Sequence, residues 1–434
     1  MKRYFLFSLS FLLSFPCFSQ ISVKIGKNNQ TVYQVTPNET TDLTELIPLE
    51  TLFRNKKIVG MGEATHGTKE FFNMKAKMFK FLATHCGYRI FSIEATYGGT
   101  LKVNDYVLYK KGNVLDAMKG MEFWTWDTEE VRDLIEWMRT YNEGKAENEK
   151  LKFYGFDCQS FKGPTNALVD YITGVDNKNL DKFLKELSVL NDSSYGYFYT
   201  LNSSESSSIG IAQVHGIIAT IQKWFQEKEE FYIAESGMKK FELAKYNIEA
   251  LKQAILLRST PEKEYGFRRD SCMSQNLQWI YKLEQNKIFA WAHNGHICKA
   301  PNLFEKHEVC MGMYLDKIFG SDYYNIGFVF NQGSFQALTK VAGKLQEFSV
   351  PVYKKNTLTN ELALSGLDAF FIDMTITDNK LFRTSGRTYY IGALFMPEYW
   401  NRYSKRMIAK NQFDGLIFIN KTNCAIPISR KLKN

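Results

Sequence analysis

A short glycine-bounded segment, Gly62–Gly67, contains the first residues that could do chemistry. Glu63 and His66 lie three positions apart in it, and histidine is scarce, with only 6 in 434 residues. A neutral imidazole can take a proton from water, and a carboxylate beside it can fix its tautomer and stabilise the imidazolium. The same residues could instead form a helix start, with Thr65 or Thr68 as the cap and Glu63 favouring the helix dipole. We interpret His66 as a candidate general base.

A second histidine pair, His293 and His296, lies in the segment WAHNGH. The two rings could act as bases or as metal ligands. Alternatively, one is a buried, hydrogen-bonded side chain and the other a surface residue. Two carboxylates, Glu94 and Asp157, also follow short apolar runs. A carboxylate in that position favours a functional role, with an ion pair at a helix start as the alternative.

Two further residues are candidates for substrate binding. Arg269 follows Arg268 and precedes Asp270, and a guanidinium there could bind an oxyanion or an anionic group. A solvated helix start is the alternative for this segment. Trp126, at the end of an aromatic run, could line an apolar cleft or pack in the core.

These residues must be positioned by elements that the hydrophobic pattern indicates. Short apolar runs predict buried strands, at 57–61, 89–93, 151–156 and 287–291. Apolar residues at helical spacing predict amphipathic helices, at 68–86, 131–141, 209–225 and 241–257. Glu63, Glu94, Asp157 and His293 each follow one of the predicted strands. Because the carboxyl ends of parallel strands share one edge of a sheet, where ligands bind, we expect these four side chains to meet.

The order of elements predicts an α/β fold, a three-layer sandwich with a largely parallel central sheet, a helical insertion and a smaller α+β region. Apolar and β-rich runs return after the insertion, including 326–330, 370–372, 389–395 and 415–419. The predicted division is a signal peptide at 1–19, an α/β catalytic core at 20–165 and 286–322, a helical insertion at 166–285, a smaller α+β region at 323–412 and a return to the core at 413–434.

The first residues predict an exported protein. Lys2 and Arg3 precede an uncharged apolar stretch, and small residues at Cys17 and Ser19 permit cleavage before Gln20. This arrangement is typical of a secretory signal peptide, so we expect a periplasmic or extracellular location. A buried N-terminal strand is the alternative. No later apolar run is long enough for a membrane span.

Composition and motifs exclude several classes of function. The net charge of +9 comes from scattered Lys and Arg, whereas nucleic-acid binding concentrates them on one face. The cysteines lack the CxxC spacing of zinc knuckles and redox motifs, and their pairing cannot be deduced from the sequence. There is no G-x-S-x-G elbow, P-loop or G-x-G-x-x-G, so serine-esterase and nucleotide mechanisms lack their usual motifs.

Six segments taken together resemble the erythromycin esterase family, including its macrolide esterases and its succinoglycan biosynthesis-like hydrolases. They are GEATHGTKEFF (Gly62–Phe72), the segment from Trp124 to Asn142, FYGFD (Phe153–Asp157), RDxxMxxN (Arg269–Asn276), WAHNGHI (Trp291–Ile297) and FDGLIFI (Phe413–Ile419). They occur in the family's order and extend over roughly residues 50–420.

The resemblance implies a hydrolase that cleaves a carboxylic ester or lactone with water, and the members of the family that resist macrolides open the lactone ester of these antibiotics. It implies that His66 is the general base, that Glu63, Glu94, His293 and His296 complete the site, and that Arg269 binds substrate or stabilises the oxyanion. The family commonly has Arg nine residues after the motif histidine, where this chain has Lys75. Lys75, Asp157 and Trp126 are further candidates for substrate binding.

We expect a small-molecule ester or lactone as substrate, no cofactor, no metal and no nucleic-acid partner. Two alternatives stay open. One is a metal-dependent hydrolase or peptidase that uses Glu63, His66, Glu94 and His293 as ligands. The other is a binding protein without catalytic activity that holds a metal complex or an amphiphilic ligand in the same cleft.

Overall fold

The computed structural model describes residues 21–25, 28–38, 42–191, 211–301, 309–339, 344–352 and 357–428. The predicted signal peptide, residues 1–19, lies outside the described residues. The strands are β1 (Ile21–Ile25), β2 (Asn28–Gln34), β3 (Ile58–Met61), β4 (Ile90–Thr96), β5 (Lys152–Asp157), β6 (Ile288–Trp291), β7 (Tyr323–Leu338), β8 (Leu345–Val350), β9 (Ala369–Asp373), β10 (Gly386–Tyr389), β11 (Ser404–Met407) and β12 (Gly415–Thr422).

The α-helices of the same residues are α1 (Glu50–Phe53), α2 (Lys69–His85), α3 (Leu101–Tyr109), α4 (Val114–Lys119), α5 (Glu129–Tyr141), α6 (Lys162–Val175), α7 (Leu180–Leu187), α8 (Ile211–Glu227), α9 (Glu229–Ser236), α10 (Met238–Arg258), α11 (Glu262–Glu284), α12 (Asn294–Ile297), α13 (Met311–Phe319), α14 (Leu358–Ala363), α15 (Lys380–Arg383) and α16 (Ala409–Gln412). None of the helices in the described ranges combines the length and the apolarity needed to cross a bilayer.

Ten of these strands form one sheet, in the order β1-β2-β9-β12-β7-β3-β6-β4-β5, with β8 paired to β7. Six neighbouring strands, from β12 to β5 in that order, are parallel. The pairs β1–β2, β2–β9, β9–β12 and β7–β8 are antiparallel, and β10 and β11 form a separate antiparallel pair. The predicted α/β fold with a largely parallel sheet is therefore confirmed.

Hydrophobic cores lie on both faces of the sheet, because successive side chains of a strand point to opposite faces. Phe91 and Ile93 of β4 belong to one core, together with Phe79 of α2. Ile90 of the same strand belongs to the other core, together with Leu277 of α11. The sheet is the middle of three layers, with helices packed on each side.

The predicted strands are present with shifted ends. Among the strands predicted at 57–61, 89–93, 151–156 and 287–291, the largest shift concerns β4, which continues to Thr96 across an irregularity after Ile93. Glu94 therefore lies inside a strand and not after it. The β-rich run at 389–395 was a wrong prediction of strand, since β10 ends at Tyr389 and the following residues include only an isolated bridge from Leu394.

The segment between β5 and β6 is helical from α6 to α11 wherever it is described, and it has a separate hydrophobic core with members such as Leu168 and Ile218. β7, β9 and β12, which come later in the chain, join the same sheet as β3 to β6. How these parts divide into domains remains a prediction.

Candidate active site

Two loops after neighbouring parallel strands bring the first group of site residues together. The loop after β3 carries Glu63 and His66, and the loop after β6 carries His293. Gly62 lets the loops touch, because a Cβ there would lie 2.2 Å from the Asn294 Oδ1 atom. The Asn294 N–H donates to the Glu63 carbonyl oxygen at 2.9 Å, which ties the loops to each other.

The Glu63 carboxylate is buried and accepts hydrogen bonds from three side chains. One oxygen lies 2.7 Å from His66 Nδ1. The other accepts from Lys75 Nζ at 2.5 Å and from Trp291 Nε1 at 2.9 Å. Burial lowers the pKa of Lys75 to about 8, although the adjacent Glu63 carboxylate opposes this shift. Because a carboxylate is an acceptor, it favours the His66 tautomer with the proton on Nδ1.

A second group of polar side chains is centred on Arg269 of α11. Its guanidinium donates to the two Asp157 oxygens at 3.0 and 2.9 Å and to Glu94 Oε1 at 2.6 Å. Burial disfavours the charged forms of Arg269 and Glu94, but the neighbouring charges outweigh it. Asp157 and Glu94 raise the pKa of Arg269 well above its usual value, and His296 and Arg269 lower the pKa of Glu94 well below its usual value. Arg269 therefore joins the ends of β4 and β5 by ion pairs.

The His296 ring lies between two carboxylates. Its Nδ1 is 2.8 Å from Asp270 Oδ1 and its Nε2 is 3.3 Å from Glu94 Oε1. Burial lowers the pKa of His296, but Asp270 and Glu94 outweigh that effect and raise it to about 10. Arg269 Nη1, at 3.1 Å from Nε2, opposes the protonation without preventing it. At neutral pH the ring is therefore an imidazolium held in place by two acceptors.

His293 connects the two groups through its backbone and has both ring nitrogens engaged. Its N–H donates to Glu94 Oε2 at 2.9 Å. Nε2 lies 3.2 Å from the Ile391 carbonyl oxygen, and Nδ1 accepts from the Gly295 N–H at 3.2 Å. Burial lowers the pKa of His293 well below its usual value, and His66 and His296 add to the effect. The neutral ring lies 4.9 Å, between centroids, from the His66 ring.

The predicted residues differ in their access to solvent. The side chains of His66, His296 and Arg269 are 14%, 18% and 13% exposed. Lys75 and Asp157 are buried and contact Glu63 and Arg269 respectively. The first three therefore form the surface that a small molecule could reach.

Trp126 lies in the core behind the site. Its Nε1 donates to the Glu94 carbonyl oxygen at 3.1 Å, and its ring contacts Phe72 and Trp291 edge-on or tilted. The side chain is only 2% exposed. In this arrangement it supports the β4 residue Glu94 and presents almost no surface to a ligand.

Three participants were missing from the sequence-based site. Asp270 binds His296, and its place directly after Arg269 was a usable signal. Trp291 donates to Glu63, and its position at the end of a strand was a weaker signal in the sequence. Tyr390 packs edge-on against His293 at 4.5 Å between centroids, but it is far away in sequence and nothing near it pointed to the site.

In the described ranges, no group of three or more His, Cys, Asp or Glu side chains is arranged to hold a metal ion.

The fold and site together define a three-layer α/β protein with a buried, charge-paired polar cluster at the carboxyl edge of its parallel strands. A model of the erythromycin esterase family matches residues 83–422. The chain belongs to the erythromycin esterase family, and this membership indicates a hydrolase.

Individual relatives agree with that assignment. The chain is 24% identical over 400 residues to the putative hydrolase YbfO of Bacillus subtilis, covering 86% of this chain and 85% of that protein. It is 24% identical over 346 residues to erythromycin esterase type II of Escherichia coli, covering 74% and 80%. A crystal structure of a Bacillus cereus protein superposes with a TM-score of 0.77 at 24% identity, covering 91% and 96%. The structural likeness establishes the shared fold.

Proposed function

We propose that the chain is an exported hydrolase that cleaves a carboxylic ester or lactone with a water molecule activated by His66. The observation that carries this proposal is the Glu63–His66 pair. Glu63 engages Nδ1 at 2.7 Å, and Nε2, on the opposite side of the ring, has no hydrogen-bond partner among the described residues. A partly exposed imidazole oriented by a buried carboxylate is the arrangement that general-base catalysis requires.

The proposed reaction begins with proton transfer from water to His66 Nε2. The oxygen attacks the ester carbonyl, and Glu63 stabilises the imidazolium that forms. Positive charge from His296 and Arg269 stabilises the oxyanion of the tetrahedral intermediate. Collapse of the intermediate breaks the bond to the alcohol oxygen, which takes the proton back from His66. No covalent enzyme intermediate is required, in agreement with the missing G-x-S-x-G motif.

The other predicted residues act through those that reach the cleft. Lys75 and Trp291 hold Glu63 through hydrogen bonds. Asp157 and Glu94 hold Arg269, and Glu94 also binds the His293 N–H. We infer that His293 supports the His66 ring by contact, because both of its nitrogens are already engaged.

The proposed substrate is the lactone ring of a macrolide antibiotic. Family membership supports this choice, together with the similarity to a protein named erythromycin esterase. The proposed export rests on residues 1–19, whose charged start and apolar stretch are typical of a signal peptide.

The test combines a product assay with one variant and one control. Purified protein is incubated with erythromycin, and mass spectrometry measures the fraction of drug that has gained one water. His66→Ala is expected to lower turnover by at least about 100-fold, which is the low end of a general-base contribution. His215→Ala, which changes an exposed histidine of α8, is expected to leave turnover unchanged.

Three results would contradict the proposal. Activity retained in His66→Ala would show that His66 is not the general base. Loss of activity with a chelator, together with a stoichiometric metal in the purified protein, would favour a metal-dependent hydrolase. Saturable binding of esters and lactones without turnover would favour a binding protein.

A further inference from the structure

Two cysteines at the rim of the site lie close to each other. Cys298 is the cap residue after α12, and Cys310 is the cap residue before α13. Their sulfur atoms are 2.8 Å apart, and the residues are only 4% and 7% exposed. A disulfide has a bond of about 2.05 Å, so closing the gap needs a movement of less than about 1 Å.

Close packing of α13 on the end of α12 brings the two cysteines together. Gly312 in the first turn of α13 permits the approach, because a Cβ there would lie 2.1 Å from the Ile297 carbonyl oxygen and 2.5 Å from that of Cys298. That Ile297 oxygen is also fixed by the Tyr323 hydroxyl, which donates to it at 2.6 Å. Both ends of the segment 299–309 are therefore anchored beside each other.

The same two anchors carry part of the candidate active site. Asp270 Oδ1 binds His296 Nδ1 at 2.8 Å and accepts the Met311 N–H, also at 2.8 Å. His296 is two residues before Cys298, and Met311 directly follows Cys310. A covalent bond between the sulfurs would hold the two segments that converge on Asp270.

A partly open cavity borders this pair. Cys298 and Cys310 line a cavity that opens to solvent, together with residues such as Gly295 and Tyr390. Cys158 and Cys272 also lie near each other and the site, but they are fully or nearly fully buried, and the described cavity does not include them.

We propose that Cys298 and Cys310 are a disulfide-forming site that fastens the segment carrying His296 to the start of α13. The oxidant is a low-molecular-weight disulfide such as glutathione disulfide. One cysteine thiolate attacks it and expels one glutathione thiolate. The second cysteine then attacks the mixed disulfide and expels the other, so two protein thiols become one disulfide and one oxidised glutathione becomes two reduced molecules. Formation in the cell rests on the proposed export, because exported compartments permit disulfides.

The pairing is tested on the purified full chain. This test does not depend on export, so a failure of the proposed export would leave its result unchanged. The protein is fully reduced, exposed to excess glutathione disulfide while folded, alkylated and digested without reductant. Mass spectrometry is expected to find a Cys298–Cys310 linked peptide that has lost two hydrogens. Alkylated Cys298 and Cys310, glutathione adducts on either of them, or a Cys158–Cys272 link in place of this one would overturn the proposal.

A second measurement uses the difference in Tm between the oxidised and reduced forms of each protein, which cancels the direct effect of a substitution. For the natural chain the oxidised form is expected to melt about 3 °C higher, from the loop-closure effect spread over a chain of this length. Cys86→Ala changes a buried cysteine outside the pair and is expected to keep that difference. Cys298→Ser is expected to abolish it, and a Tm difference that persists in Cys298→Ser would contradict the assignment.

Discussion

At the scale of single residues, the site consists of two charge-paired groups with different states of protonation. Glu63 and Lys75 form a buried pair that orients His66. Arg269 and His296 are cationic among carboxylates. The proposed base and the proposed oxyanion-stabilising charges thus have different hydrogen-bond partners, and His293 connects the two groups. Substitutions in the two groups should therefore differ in their effects.

Glu63→Gln tests whether the carboxylate charge assists His66. The amide keeps the shape and can still accept from Nδ1, but it does not stabilise an imidazolium by charge. We expect kcat to fall by about 10–100-fold with little change in KM, because the lost interaction strengthens only in the transition state. The measurement is a steady-state assay of both proteins. A rise in KM alone at constant kcat would mean that Glu63 contributes to substrate binding.

Lys75→Met tests the buried ion pair. Removal of one partner leaves the charge of Glu63 buried without its cation, which costs about 3–5 kcal/mol in the free energy of unfolding. Lys75→Arg keeps the positive charge and introduces the residue that is common in the family. We expect this variant to lose much less unfolding free energy than Lys75→Met. Urea denaturation at pH 7 measures both variants.

The Lys75→Met loss should depend on pH in a defined direction. Since the pKa of Lys75 in the folded protein is about 8, the natural chain itself loses the ammonium charge as the pH rises through that value. The unfolded chain keeps this charge up to about pH 10.5 and therefore binds more protons, so the stability difference between the natural chain and Lys75→Met is expected to widen between pH 8 and 10.5. A difference that is constant from pH 7 to 9.5 would contradict the assigned protonation.

At the scale of elements, the sequence predicted where the parallel strands end but not how the side chains pair across them. The apolar runs indicated β3, β4, β5 and β6, and their shared edge carries Glu63, Asp157 and His293. These side chains fall into two groups, because Glu63 pairs with His66 whereas Asp157 pairs with Arg269. The predicted end of β4 was three residues too early, because an irregularity lets this strand continue past Ile93 to Thr96, so that Glu94 lies inside it. The contact of Tyr390 with His293 joins distant parts of the chain, and no local periodicity could reveal it.

Gly67→Ala tests how closely the loop after β3 must pack on β7. A Cβ at this position would lie 2.4 Å from the Gln336 carbonyl oxygen, and a backbone atom in a central strand cannot move away cheaply. We expect a loss of about 1–3 kcal/mol in the free energy of unfolding, as for other overpacked sites. Turnover should fall as well, because His66 directly precedes Gly67. Thermal or urea unfolding and the esterase assay provide the two readouts.

Gly216→Ala is the matched control. Gly216 lies within α8 and a Cβ there would meet no atom within 4 Å. Alanine favours the helix, so stability is expected to rise by up to about 1 kcal/mol. If both substitutions changed stability in the same direction, the packing explanation for Gly67 would be wrong.

At the scale of the whole molecule, the site is assembled from segments that are remote in sequence but fixed to one sheet. The helical part between β5 and β6 supplies Arg269, and the segment between β10 and β11 supplies the carbonyl oxygen of Ile391. Because so many buried charges depend on this assembly, the stability of the entire fold should depend on pH through the histidines of the site.

His293 and His296 act at opposite ends of the pH range. The pKa of His296 is about 10 in the folded protein against an ordinary 6.5, so its contribution is fully present below pH 6.5 and is lost as the pH rises towards 10. The pKa of His293 is lowered by burial, so its contribution is present above pH 6.5 and is lost as the pH falls below that value. Lys75 opposes the alkaline loss, because its depressed pKa makes stability rise between about pH 8 and 10.5.

His296→Gln isolates the alkaline effect from the others. Since Lys75 and His293 are retained in this variant, subtracting its unfolding free energy from that of the natural chain removes their contributions. The natural chain is expected to be more stable at pH 6, because the imidazolium binds Asp270 and Glu94. That advantage should shrink steadily between pH 6.5 and 10, and urea titrations at each pH measure it. An advantage that stays constant over this interval would mean that His296 is neutral in the folded protein, and it would remove one of the two positive charges from the proposed oxyanion site.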